Sequence, residues 1–190
     1  MIRPAPRPFS RPLRLAANAL TVLGLGLAPL LGTGAAVAAP EQAFQMTLPA
    51  VELPPVRFND PDGKAMTLED LRGKTILLNI WATWCPPCVK EMPTLDALQK
   101  RLGDDDFQVV ILSIDKAKPE VVQAFLDKLG VTELAAYQDD TMLSLSALQG
   151  GGLPVTLLID PEGREIGRLE GPAEWDSEEM IEFIESKIVR

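Results

Sequence analysis

Cys85 and Cys88 are the only cysteines in the chain, and both lie in the stretch NIWATWCPPCVKEMP, Asn79 to Pro93, with two of the three tryptophans. A C-x-x-C pair can close a structural disulfide, supply half of a metal site, or open and close as a redox couple. As a staple it closes a tiny loop, for which the chain-entropy model gives roughly 2 kcal/mol against about 3 for a 15-residue loop. A closed zinc site needs four Cys or His ligands. The chain has no further cysteine and no histidine, so an intrachain site is excluded and only one shared between two chains survives. The redox reading has local geometry behind it. An apolar run ending near Ala82 leads into a helical pattern that begins at the motif, which puts Cys85 at the N-cap and Cys88 one turn in. Backbone N–H groups and the positive end of the helix dipole stabilise a thiolate at Cys85, and Cys88, deeper, becomes the resolving thiol.

The lack of histidine also removes Cys–His and Ser–His–Asp machinery and the commonest ligand for zinc, copper and haem iron. Sulfur, carboxylates and backbone are left to do the chemistry. The formal charge of −9 is acidic even with the arginines of the N-terminus included. That argues against nucleic acid, which needs a basic footprint, and is compatible with cationic partners.

Residues 1–38 read as a secretory signal peptide. Arg3, Arg7, Arg11 and Arg14 give a positive start, an apolar run follows, and Ala36-Val37-Ala38 forms a small-residue cleavage site. An uncleaved membrane anchor is the alternative, since the run approaches the roughly 20 residues of a spanning helix. Gly24, Gly26, Pro29, Gly32 and Gly34 interrupt it, which favours cleavage. Either way the folded part is expected outside the cytoplasm, in the periplasm or cell envelope. A proline-containing lead-in, 39–54, precedes one domain, 55–190.

Within that domain LPPVRFNDPDGKAMTL reads as a hairpin on an Asp-Gly turn, and TLEDLRG as a brief turn or helix ending at Gly73. KTILLNIWAT and FQVVILSID are buried strands. Val89, Met92, Leu95, Leu98 and Leu102 repeat at helical spacing from Pro86 to Leu102, and Gly103 stops the run. KPEVVQAFLDKLG is a helix with Gly130 past its end. ELAAYQD is a candidate strand, TMLSLSALQ a helical segment, and LPVTLLIDPEGREIGRLEG a hairpin turning at Asp160 to Gly163. WDSEEMIEFIESKIVR closes the chain as a helix, with Asp176 and Glu179 resembling a capping box. Strands alternating with helices and then giving way to a hairpin predict one α/β domain, a mixed sheet with helices on both faces. A C-x-x-C in such a setting reads as a thioredoxin-like redox motif.

The stretch NIWATWCPPCVKEMPTL resembles the thioredoxin-like thiol–disulfide oxidoreductases of the TlpA/ResA/CcmG type, which are exported bacterial proteins. The likeness continues through VVILSID, GGLPVTLLIDPEGR and GPAEWDSEEM, from about Pro55 to the C-terminus, and the ending is most similar to the TlpA branch. The resemblance implies a thioredoxin-like fold with an N-terminal β-hairpin extension and a family insertion at Lys116 to Thr141. It implies catalytic roles for Cys85, Cys88 and Glu91, and a substrate-binding surface of Trp84, Pro86, Pro87, Leu153 and Pro154. Cys85 matches the family's nucleophile and Cys88 its resolving cysteine. Trp84 matches the tryptophan beside the sulfur, though ordinary half-buried core would also suit it. Glu91 matches the acidic residue that ResA-type members use to manage cysteine protonation, although from its sequence position alone it would be a solvated helix residue. Cytosolic thioredoxins place an aspartate six residues before the first cysteine; that position is Asn79, which cannot titrate. Pro93 matches a helix kink, and Pro154 a cis-proline that leaves the backbone of Leu153 free to pair with a substrate strand. Val155-Thr156 departs mildly from the family's usual Thr-Thr.

The redox-active disulfide is expected to serve with no cofactor and no metal. The resemblance further implies client proteins carrying disulfides or cysteine pairs, such as apocytochrome c or the copper-site cysteines of oxidase subunits, and an upstream membrane electron donor. Direction follows from the thiolate, because a lower cysteine pKa goes with a stronger oxidant. Pro86 and Pro87 lack N–H groups and delete two donors that could have solvated the Cys85 thiolate, so a reducing pair is expected. A thiol oxidase or isomerase, a peroxidase, and a non-catalytic metallochaperone or apocytochrome-binding protein are the rivals. Scattered methionines and no histidine argue against copper delivery.

Overall fold

The structure, a computed structural model, describes residues 44–190; the leader and the cleavage site lie outside the described residues. Its frame is an eight-stranded mixed sheet, built on two runs too apolar to face water. Strand β4 (Thr75–Trp81) is buried at every position. It lies parallel to β5 (Phe107–Ser113), from Thr75 opposite Phe107 to Trp81 opposite Ser113. On its other side β4 pairs antiparallel with β7 (Val155–Ile159). Neighbours on both edges and packing on both faces make these strands continuous rather than alternating in sequence.

Between the parallel pair runs α1 (Pro86–Leu102), the predicted helix residue for residue. Cys85 is its N-cap, Pro86 and Pro87 open it, and Gly103 stops it, donating its N–H to the Gln99 carbonyl. Proline suits the first turn because its missing N–H has no partner there anyway. Pro93 lies inside α1, where it removes the N–H that the Val89 carbonyl would otherwise accept. The segment Lys116 to Thr141 holds α2 (Pro119–Lys128) and the short β6 (Ala136–Gln138), parallel to β5. Gly130 ends α2 at φ 77°. Its N–H bonds to the Asp127 carbonyl and that of Val131 to the Leu126 carbonyl, a Schellman close that needs a residue tolerant of positive φ.

The predicted N-terminal hairpin is β2 (Arg57–Asn59) with β3 (Ala65–Thr67), which joins the sheet through β6. The C-terminal hairpin is β7 with β8 (Arg164–Glu170). The two share one turn device. In Asp60-Pro61-Asp62-Gly63 the Asp60 carboxylate accepts the N–H groups of Asp62 and Lys64, and in Asp160-Pro161-Glu162-Gly163 that of Asp160 accepts those of Glu162 and Arg164. The short α3 (Leu143–Ala147) precedes β7, and α4 (Glu178–Glu185) ends the fold and packs on α1.

Two features depart from the sequence expectations. Within the lead-in, where the sequence suggests no element, Gln45–Glu52 forms β1, an edge strand antiparallel to β8 whose register slips between Met46 and Val51. Pro49 within it hides the strand, yet an edge strand tolerates proline because its outer N–H groups need no ladder partner. Helix α4 is capped by Ser177, whose hydroxyl accepts the Met180 N–H, and not by Asp176. A capping box occurs instead at Thr67 and Asp70, at the head of the 3-10 turn Leu68–Leu71. Ser177→Ala is therefore expected to cost about 1 kcal/mol of stability in urea unfolding, and Asp176→Ala only a few tenths from its place near the helix dipole.

Candidate active site

The cysteine pair stands where β4 runs out and α1 begins, at the end of the sheet to which the parallel strands point, the end where open α/β sheets bind their ligands. The two sulfurs are joined in a disulfide, with Cα atoms 5.3 Å apart. The Cys88 N–H donates to Cys85 Sγ at 3.4 Å, the first amide available after the two prolines. Cys88 is fully buried, and Cys85 is 5% exposed. Pro86 and Pro87 are exposed beside them. Trp84 is exposed too, at 61%, so it is not the half-buried core residue that its type would allow.

The loop carrying Trp84 and Cys85 is pinned from the far side by a residue that sequence reading passes over. Asp115, just past β5, accepts the Thr83 N–H at 2.9 Å and the Thr83 hydroxyl at 2.7 Å. Its own carboxylate also takes the Ser113 hydroxyl, and its backbone carbonyl takes the Gln138 side-chain amide from β6. The one sequence signal is an aspartate abutting an otherwise apolar strand.

Pro154 follows a cis Leu153–Pro154 bond, as the resemblance implies. It lies one residue beyond the Ile80–Val155 pair of β4 and β7, at the end of β4 from which the cysteine loop departs. Its carbonyl accepts the Gly171 N–H. Among the described residues no backbone hydrogen bond engages Leu153, leaving an open edge at the site.

Glu91 is 2% exposed and is no solvated helix residue. It sits three residues after Cys88 on the buried side of α1, where Cβ atoms so spaced lie about 5–6 Å apart. Asn79 Nδ2, from the middle of β4, donates to Oε1 at 2.9 Å. The Ala173 N–H and Trp175 Nε1, both from the turn before α4, donate to Oε2 at 3.0 Å each. Asn79, set aside in the sequence because it cannot titrate, is thus the direct partner of the group that can, and Trp175 is a second partner the sequence does not suggest. Among the described residues no cation pairs with Glu91. Burial pushes the Glu91 pKa up from its ordinary value, and the bonds from Trp175, Ala173 and Asn79 pull it back only in part. Glu91 also borders a groove of about 460 Å³, lined with Pro87, Lys90, Thr94, Pro172 and Glu174, among others. Chemically the cluster is a buried acceptor of raised proton affinity, one helical turn from the inner sulfur.

Comparison with known proteins agrees with this geometry. Residues 46–182 match the Redoxin family model. Thiol-disulfide oxidoreductase ResA of Bacillus subtilis is 33% identical over 114 residues, 60% of this chain and 63% of the ResA chain, so the match spans under two thirds of that relative. ResA of Halalkalibacterium halodurans is 33% identical over 130 residues, covering 67% of this chain and 72% of that one. Among solved structures, a Chlorobium tepidum chain described as thiol:disulfide interchange protein DsbE superposes with a TM-score of 0.63 at 25% identity, covering 72% of this chain and 95% of its own. A thiol:disulfide interchange protein from a Bacteroides species shares the fold at a TM-score of 0.60 and 23% identity, over 73% of this chain and 89% of that one. With a cysteine pair at the N-cap of α1 as its redox group, the chain belongs to the Redoxin family, among the thiol–disulfide oxidoreductases of the TlpA/ResA/CcmG type.

Proposed function

We propose that this protein is an exported disulfide reductase that uses Cys85 as nucleophile, Cys88 as resolving thiol and Glu91 as proton acceptor. The observation that carries the reading is the placement of Cys85 at the N-cap, its sulfur on the Cys88 amide, with a buried, uncompensated carboxyl one turn further along α1. Reduced Cys85 attacks one sulfur of a client disulfide. The client S–S bond breaks, a bond from Cys85 Sγ to the client forms, and the client's other sulfur leaves as thiolate and is protonated from solvent. Cys88 Sγ–H then gives its proton to Glu91. The Cys88 thiolate attacks Cys85 Sγ and expels the second client thiolate. Two electrons have passed from the pair to the client, and the Cys85–Cys88 disulfide is the product state.

Binding falls to the exposed Trp84, Pro86 and Pro87, with the open Leu153 edge before Pro154 offering main-chain hydrogen bonds to an extended client segment. Clients of the apocytochrome c or copper-oxidase kind, and a membrane electron donor that re-reduces the pair, are supported by the family resemblance. Export to the periplasm is supported by the arginine-rich, apolar and small-residue order of residues 1–38. Among the described residues no helix is long and apolar enough to cross a membrane. The reducing direction is supported by Pro86 and Pro87, which leave the Cys85 sulfur a single early amide donor.

Cys88→Ser in the full chain should stop the reaction at the mixed disulfide and accumulate client joined to Cys85, read on non-reducing gels of the exported fraction; no trapped species would remove the reductase reading. The pair should equilibrate with glutathione at a potential below about −180 mV, the value of a disulfide isomerase, and a higher one would mark an oxidase. Glu91→Gln should slow release of the mixed disulfide by roughly 10²-fold, within the range of a lost general base, and leave the first attack unchanged. The same variant has a signed effect on stability. With its pKa raised from the ordinary 4.5, Glu91 binds a proton in the native state where the unfolded chain does not, so native stability falls as pH rises from about 4.5 through the raised value. Glu91→Gln should therefore be more stable than the wild type at neutral pH, with the gain shrinking toward about pH 4 in urea titrations.

A further inference from the structure

Asn79 is wholly buried, and its two side-chain atoms are treated unequally. Nδ2 donates twice, to Glu91 Oε1 and to Thr156 Oγ1, each at 2.9 Å. Oδ1 has no partner, and a buried acceptor without one bears its full desolvation penalty. A half-turn of the amide about its last side-chain bond exchanges the two atoms. Oδ1 then faces Glu91 Oε1 and Thr156 Oγ1, and Nδ2 takes the unpartnered place.

The charge of Glu91 decides between these orientations. Against an ionised carboxylate the turned amide sets acceptor against acceptor, so Nδ2 must face Glu91, as it does. Against the neutral acid the preference reverses. Oε2 already accepts from both the Ala173 N–H and Trp175 Nε1, which leaves it no room for a proton. The proton taken from Cys88 therefore lands on Oε1, where it needs an acceptor, and Oδ1 becomes one on turning. The Thr156 hydroxyl can rotate to donate to the same oxygen. One amide atom goes unpartnered in either state, so the penalty nearly cancels and the amide is free to follow the proton.

We infer that Asn79 is a two-way positioning residue for Glu91, donating to the carboxylate and turning over to accept from the acid, so that proton uptake at Oε1 finds a partner in place. The role rests on the reading of Glu91 as the acceptor of the Cys88 proton. An aspartate at residue 79 would set a second carboxylate against the first, and an aliphatic side chain would serve neither state. The ionisable groups facing Glu91 are Cys88 on its own helix, when reduced, with Lys90, Glu174 and Asp176 along the groove. Those from β4 and β7, Asn79 and Thr156, are neutral.

The test is an NMR titration of the full-length oxidised protein, in which neither cysteine titrates, following the Glu91 carboxyl carbon and the Asn79 side-chain amide. The cross-relaxation between the Asn79 Nδ2 protons and the Thr156 methyl group is expected at high pH and should fade with the same midpoint as the carboxyl. In Glu91→Gln, whose amide at this place can donate to Asn79, the turned orientation is expected at every pH. An Asn79 amide that keeps Nδ2 on Thr156 through the Glu91 midpoint and in Glu91→Gln overturns the inference. Failure of the underlying reading shows elsewhere: in the reduced protein the Cys88 titration would then be the same in the wild type and in Glu91→Gln, whatever Asn79 does in the oxidised one.

Discussion

One carboxylate, held by three neutral donors, joins the parts of this molecule that must stay in register. Glu91 ties α1 to the centre of the sheet through Asn79 and to the turn before α4 through Ala173 and Trp175. Thr94 repeats the link one turn along: its hydroxyl donates to the Glu91 carbonyl and accepts the Trp175 N–H. Bringing an ionised carboxylate into such a place costs several kcal/mol. Hydrogen bonds to a charged group offset about 1.5–3 kcal/mol each, and the raised pKa shows that the offset is incomplete. An arginine in place of one donor would have held the group in its charged form. Three neutral donors leave the group able to change its charge, which a proton acceptor requires.

The outer sulfur is governed by a shortage of donors rather than a set of them. A helix N-terminus ordinarily offers several unpaired N–H groups to an anion. Pro86 and Pro87 withdraw two of them, and the Cys88 amide is left to meet the sulfur. The motif thus weakens the stabilisation of the outer thiolate while keeping the helix start intact, because proline's fixed φ suits the first turn. On the proposed function the two sulfurs are tuned by separate means, the outer one by backbone and the inner one by a side chain.

Local features are legible in the sequence and distant ones are not. The start of α1 at Pro86, its stop at Gly103, the close of α2 at Gly130 and both Asp-Pro-x-Gly turns follow from residue types within a few positions of one another, because the forces there are short-range. Glu91 and Asn79 are 12 positions apart and Glu91 and Trp175 are 84 apart, and no pattern of spacing encodes a contact closed only by the packing of α4 on α1. Asn79 is the sharper case, since asking only whether it can titrate overlooks what it can hold. Asp115 escapes for a similar reason: its partner Thr83 is 32 positions away. Strand β1 is hidden by Pro49, which signals loop in isolation but is compatible with an edge.

Two polar clusters, one around Asp115 and one around Glu91, divide the site between them, and the sequence reveals only Glu91 of their members. Asp115 holds the loop of Trp84 and Cys85 to the end of β5, and through Gln138 to β6. Glu91 holds the inner turn of α1 to the centre of the sheet and to the C-terminal turn. On the proposed function, a client docking on Trp84 would push against the Asp115 cluster, while the proton of the resolving step would move within the Glu91 cluster. The residues between them, Cys85 to Cys88, are the direct covalent path from one to the other across the site. On that proposal binding and proton transfer are anchored on different elements, because Asp115 and Glu91 share no hydrogen-bond partner.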